Sequence, residues 1–381
     1  MSLCGVYDLA VRSLRWRSVV LAVTTALLVA MTAAPSQAKA RVGAPWVVAA
    51  SPTSMTLDWS GHGSFRVYPS RVGGGEKRPV KASTSKATVT GLVPGTMYCF
   101  TVARSDGADR SRTFCHRTPT RAIDAAASPI SVVTFNICSS VCSHWKQRRG
   151  AVLRRILEAD ADVVVLQERA ASSTFLSSGL RQRGYTGVSA SSDEQIFSRD
   201  ARLDSIGRGR DSLDGIVRRA GTVAPWVTLF DRTSGLPYTF VSVHLMAGSS
   251  RKIQKHRARQ TRALLDAMGR SEAEGPVIYA GDFNSSRARG SDLPRRELQR
   301  AGYVDAYDQA VSLSQSPVSS SNGFESAPRR DIRYGDHIDR IFVPSAFGVS
   351  DWAVVAPLRR GKNVRPIASD HHPVRATVWP G

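Results

Sequence analysis

Four short apolar runs, each cut off by an acid, an amide or an imidazole, limit what this chain can fold into more than any other feature. VVVLQE ends at Glu168, VSVHL carries His244, VIYAGDFN carries Asp282 and Asn284, and SDHHP carries Asp370 and His371. Runs of four to six Val, Ile and Leu residues suit buried strands, and a polar residue directly after one arrives where the chain leaves the sheet. Loops on a rigid sheet are where catalytic groups gather. SVVTFN with Asn136 and HIDRIFV with Asp339 add two more such segments. Between them, HWKQRRGAVLRRILEADAD places Trp145, Val152, Ile156 and Leu157 at helical spacing, and RKIQKHRARQTRALLDAM predicts a basic amphipathic helix. Antiparallel runs mixed with helices predict an α/β (α+β) domain.

In order, Asn136, Glu168, His244, Asp282 with Asn284, Asp339, and Asp370 with His371 form a constellation that resembles the endonuclease/exonuclease/phosphatase superfamily over residues 130–381. That group includes exonuclease III, pancreatic deoxyribonuclease, inositol polyphosphate 5-phosphatases and bacterial sphingomyelinases. The resemblance implies a four-layer sandwich of two mixed β-sheets flanked by helices, and a metal-dependent hydrolase of phosphate esters. Such chemistry needs a hard cation, an activated water and donors for developing charge. Glu168 is then the first metal ligand, with Asp370 facing the metal or the water; Mg²⁺ suits few protein oxygens and retained waters, with Mn²⁺ or Ca²⁺ as alternatives. Asp282 and Asn284 stand at i and i+2, on one side if the strand persists, with an Asx turn as the competing reading. His371 resembles the family's terminal histidine with Asp339 as its partner, and His244 its phosphate-contacting histidine. Asn136 would position Glu168 or bind phosphate. Several relatives carry an acid two residues after this Asn, where this chain has Cys138; that weakens a two-metal scheme and puts the Cys138 to Cys142 loop at the rim. His372, next to His371, is expected to be structural.

The first 40 residues read as a signal peptide: Arg12, Arg15 and Arg17 lead into an apolar run from Val19 to Ala34 and a small-x-small site at Ala38-Lys39-Ala40. The run is short for the roughly 20 residues of a spanning helix. Secretion, with no later transmembrane segment, is the expectation. Once Cys4 leaves with that segment, Cys99, Cys115, Cys138 and Cys142 remain, and pairing within each putative unit gives Cys99 with Cys115 and Cys138 with Cys142. CSSVC also fits a metal site, but no second pair of ligands accompanies it.

Residues 41–118 read as a small all-β unit with alternating runs TSMTLDWS and SFRVYPS, followed by a linker at 119–129. LVPGTMYCFTV resembles the fibronectin type III signature, which implies a corner hydrogen bond from Tyr98 and a core tryptophan at Trp59. No catalytic constellation occurs in this unit, so it is expected to space, stabilise or bind surface or wall polymer.

Net charge is +21, and the first 40 residues carry a net three of those charges, so about +18 would remain. A cationic field attracts polyanions, although Arg-rich base composition would produce the same excess. Arg251, Lys252 and Lys255 on the basic helix are candidate backbone contacts. The leading expectation is a secreted, monomeric nuclease of extracellular nucleic acid. A sphingomyelinase-like or 5-phosphatase-like enzyme is the alternative, and a catalytically silent surface-binding module the third reading.

Overall fold

A computed structural model describes residues 41–107, 109–123, 128–169, 173–213, 223–331 and 333–380. The expected signal peptide and residues 124–127 of the expected linker lie outside the described residues. Two large sheets face each other. One runs, strand by strand, through Tyr185–Ala190, Gln195–Arg199, Val163–Gln167, Ile130–Asn136, Val374–Trp379, Gly348–Val354 and Ala310–Ser314. The other has six strands: Leu203–Ser212, Val223–Asp231, Leu236–His244, Val277–Asp282, Asp339–Pro344 and Tyr303–Asp305. Both are mixed. Ile130–Asn136 runs parallel to Val163–Gln167, and Leu236–His244 parallel to Val277–Asp282, while their other neighbours are antiparallel.

The layering follows from what each face must bury. All five residues of Val163–Gln167 are buried, as a strand covered on both faces requires. Its inner side, through Val163 and Val165, joins the core shared with Val227, Phe240 and Ile278 of the facing sheet. Its outer side, through Val164 and Leu166, packs under the helix Trp145–Ala159, whose Val152 and Ile156 are fully buried. On the far side, the helix Arg251–Met268 lays Leu264 and Met268 against Val241, Val243 and Tyr279. The result is helix, sheet, sheet, helix. Each helix is also the crossover that two adjacent parallel strands need.

The N-terminal residues form a sandwich of their own that is built into this one. Val80–Ala82, Phe65–Arg71, Met97–Arg104 and Phe114–Arg117 make a four-stranded sheet. Its facing strands Trp46–Ser51, Ser54–Asp58 and Lys86–Thr90 extend the first large sheet to ten strands, because Ala49 pairs with Ser312 of Ala310–Ser314. Trp59 is buried with Phe65 edge-on at 5.5 Å, and the Tyr98 hydroxyl accepts the Val93 amide at 3.1 Å. Cys99 and Cys115 face each other on paired strands and are bonded, as are Cys138 and Cys142. The described part of the 119–129 segment is fastened down: Thr120 donates its amide to Gln309 Oε1 at 2.8 Å and accepts Gln309 Nε2 on its hydroxyl at 2.7 Å.

Candidate active site

The strand ends named in the sequence meet at one edge of the two facing sheets. Registers align them: Asn136 lies opposite Gln167, the residue before Glu168, on one sheet, while His244, Asp282 and Asp339 stand side by side on the other. Asn136 links the sheets, its Nδ2 donating to Glu168 Oε1 at 2.9 Å and to Asp282 Oδ2 at 3.2 Å. Below it, buried Gln167 donates to Ser242 Oγ at 3.3 Å, a second polar tie between the layers.

Asp282 is the hub. Its Oδ2 also receives Asn284 Nδ2 at 3.3 Å, and the Nε2 atoms of His244 and His371 approach it at 3.8 and 3.9 Å. The expectation that the strand persists to carry Asn284 is corrected: the strand ends at Asp282, and Asn284 takes a left-handed φ of 48°. An Asx turn does the work instead, Asp282 Oδ1 accepting the Asn284 amide at 2.8 Å. Asn284 stays beside Asp282 by that route, with its Nδ2 also bound to Leu245 O at 2.9 Å.

His371 donates or shares a proton through Nδ1 with Asp339 Oδ2 at 2.8 Å. A carboxylate there fixes the tautomer and leaves Nε2 for chemistry. Burial works against a charged His371, but Asp339, Asp282 and Asp370 outweigh it and raise its pKa; burial raises Asp339 in turn. His244 follows the same logic: burial opposes its charge, yet Asp193, Asp282, Glu168 and Glu194 push it up to about 9. The surrounding carboxylates thus favour the protonated form of both imidazoles beside Asp282. Burial also pushes Glu168 up, against the Asn136 hydrogen bond and His244.

Asp370 accepts Ser369 Oγ at 3.1 Å, and its charge adds to the upward push on Glu168. It sits against the Cys138 and Cys142 sulfurs, which are tied to each other and so are no thiolate ligands. Buried Arg148 holds this rim, donating to the carbonyls of Cys138, Ser143 and Ala368. His372 is buried, and its amide donates to Ser320 O at 2.6 Å. Arg251, Lys252 and Lys255 are exposed on the first turns of their helix. On its inner face Arg257 grips the loop after His244 through Met246 O and Gly248 O.

Two residues join the site that the strand-end rule does not find. Asp193 Oδ2 lies 3.7 Å from His244 Nδ1, and Glu194, held up to about 7 chiefly by burial, is beside it. They precede the strand Gln195–Arg199 rather than end one. That strand runs antiparallel to Val163–Gln167 with Gln195 opposite Leu166, so its start lies at the same edge as Glu168. An acid at the start of an antiparallel neighbour was the available signal.

The donor set fits a hard divalent cation. Glu168 Oε2 is buried without a hydrogen-bond partner, and Asp370 is close enough for its charge to act on Glu168. Unpaired buried carboxylate oxygens are costly unless a cation satisfies them.

The sequence pattern of the Endonuclease/Exonuclease/phosphatase family matches residues 133–371, which span every one of these groups. The chain belongs to this family. Solved structures with the same fold include a mannosyl-6-phosphatase of Bacteroides thetaiotaomicron, 20% identical over 65% of this chain and 99% of that one, at a TM-score of 0.53. The human Nocturnin catalytic domain with bound sulfate is 19% identical over 68% of this chain and 95% of that one, at 0.52. TDP2 of D. rerio complexed with a single-strand DNA product is 19% identical over 66% and 99%, at 0.50. Among curated proteins, the human receptor-type tyrosine-protein phosphatase eta is 32% identical over 112 residues, 28% of this chain but only 8% of that protein. Family membership makes the protein a phosphoesterase, and no described helix is long and apolar enough to cross a membrane.

Proposed function

We propose that the protein is an exported, Mg²⁺-dependent nuclease that hydrolyses phosphodiester bonds of extracellular nucleic acid. The observation that carries this reading is the convergence of Asn136, Glu168, His244, Asn284 and His371 on Asp282 at one sheet edge. Glu168 and Asp370 would hold the cation, which when bound neutralises phosphoryl oxygen charge. Asp282 orients the attacking water and accepts its proton. Asn136 and Asn284 amides and the His244 Nε2 donate to non-bridging phosphate oxygens. His371, steadied by Asp339, presents a cationic Nε2 to the charge that develops on the phosphoryl group.

A net charge of +21, about +18 without the first 40 residues, supports a polyanionic substrate, and the DNA product bound by the TDP2 relative is in keeping with it. The paired cysteines suit an oxidising compartment. A bilayer substrate has less support: the exposed large hydrophobics among the described residues are Val72, Val93, Val141, Ile206, Leu236 and Val364, all aliphatic. Membrane-interface anchors favour amphipathic aromatics instead.

A Mg²⁺-supplemented panel of plasmid DNA, RNA, sphingomyelin and inositol phosphates tests the reading. DNA or RNA is expected to be cut by the native chain and not by Asp282→Asn. Turnover of lipid or inositol phosphate with none on either polynucleotide would overturn it.

A further inference from the structure

A second basic feature lies outside the catalytic edge, at the seam between the N-terminal sandwich and the catalytic sandwich. A cleft of 480 Å³ is lined by Arg112 and Thr113 from the first and by Arg330, Asp331 and Arg333 from the second. All three arginines are exposed. None of their guanidinium groups has an ion-pair partner among the described residues; Arg333 stacks on Tyr334 at 5.2 Å. Asp331, the one acid, is turned to its own loop, where Oδ1 accepts the amides of Arg333 and Tyr334 at 3.0 and 2.7 Å. The two walls are locked together, since Cys115 donates its amide to Arg333 O at 2.7 Å and is itself bonded to Cys99. Three arginines against one carboxylate leave the cleft with a net positive charge, which favours an entering anion.

The catalytic wall of this cleft runs straight into the active site. Arg330 bridges Val318, two residues before Ser320. Ser320 accepts the His372 amide on its carbonyl and the Asp339 amide on its hydroxyl, while Ser321 bridges His371. Two strand spacings and the three residues of rise from Val318 to Ser321 put the Arg330 backbone on the order of 14 Å from that of His371. That separation is about four nucleotide rises of about 3.4 Å.

We infer that this arginine cleft is a second backbone-binding site for the polynucleotide, holding phosphates several nucleotides away from the scissile bond. The inference rests on the nuclease reading above for the identity of the polyanion. It gives the N-terminal sandwich a task, since that sandwich supplies Arg112 and completes the cleft.

The test compares the full chain with the triple variant Arg112→Gln, Arg330→Gln, Arg333→Gln, after checking that both melt alike. Binding of fluorescein-labelled oligonucleotides of 4 and 16 nucleotides is measured by anisotropy across a salt series, with bis(p-nitrophenyl) phosphate as the small substrate. The native chain should bind the longer oligonucleotide at least tenfold more tightly than the shorter. The variant should lose most of that gain, and its log–log salt slope should flatten by about 2 to 3, as expected when three phosphate contacts vanish. Turnover of the small ester should be unchanged. An unaltered slope and length dependence, or a loss on phosphatidylglycerol vesicles with none on oligonucleotides, overturns the inference. Length-dependent binding that the variant loses, in a protein that cleaves only non-nucleotide esters, keeps the cleft and overturns the nuclease reading instead.

Discussion

His116 offers a stability test that involves no active-site residue. Its ring is fully buried where the N-terminal sandwich meets the catalytic one, edge-on to Tyr307 at 4.7 Å, and neither ring nitrogen has a protein hydrogen-bond partner. Burial pushes its pKa down to about 4; the charge of Asp308 opposes this, and Arg287 and Arg117 reinforce it. The folded protein therefore refuses a proton that the unfolded chain takes up below about pH 6.5. Stability is full above that pH and is lost as pH falls toward about 4. At pH 5 the gap is about 1.5 pH units, which at about 1.36 kcal/mol per unit withdraws about 2 kcal/mol. His116→Phe removes the titration. Urea unfolding of the native chain and the variant at pH 8 and pH 5 gives two differences, in which any packing change from the larger ring cancels. The native chain should lose about 2 kcal/mol more than the variant between the two pH values. Equal losses would show that His116 is protonated as readily folded as unfolded, and the account of the seam would be wrong.

Two further outcomes follow from the same structure. His371→Ala and the double variant with Asp339→Ala should lower kcat/KM nearly equally, because residues that act as one unit are non-additive; strictly additive losses in steady-state kinetics would separate them. A chain beginning near Ser128 loses the strand paired at Ala49–Ser312 and the His116 ring packed on Tyr307. Wetting half of one aromatic side chain, roughly 100 Å², costs about 2.5 kcal/mol, a large part of the usual 5–15 kcal/mol total; an unchanged melting temperature would contradict this.

Glu168, His244 and Asp282 were legible because each ends a run whose apolar content already demanded a buried strand, so the sheet edge and the polar residue were predicted together. Asp193 and Glu194 were not, since an acid before a strand looks like any solvated turn until the pairing partner is known. Asn284 was placed rightly beside Asp282 for a reason that fails, the strand giving way to an Asx turn. The continuation of the sheet across Ala49–Ser312 left no mark in the sequence. Alternating residues in an edge strand read the same whether the neighbour belongs to its own sandwich or to the next, because backbone groups make the pairing.

Hydrolysis of bis(p-nitrophenyl) phosphate under a Mg²⁺ titration reports whether the phosphoesterase holds its cation through Glu168. The native chain should be silent in EDTA and recover with added Mg²⁺. Glu168→Gln, melting as the native chain does, should lose about 100-fold or more in kcat, the scale seen when one transition-state charge partner is removed. Full activity in EDTA, or a Glu168→Gln variant that turns over at the native rate, would contradict the account.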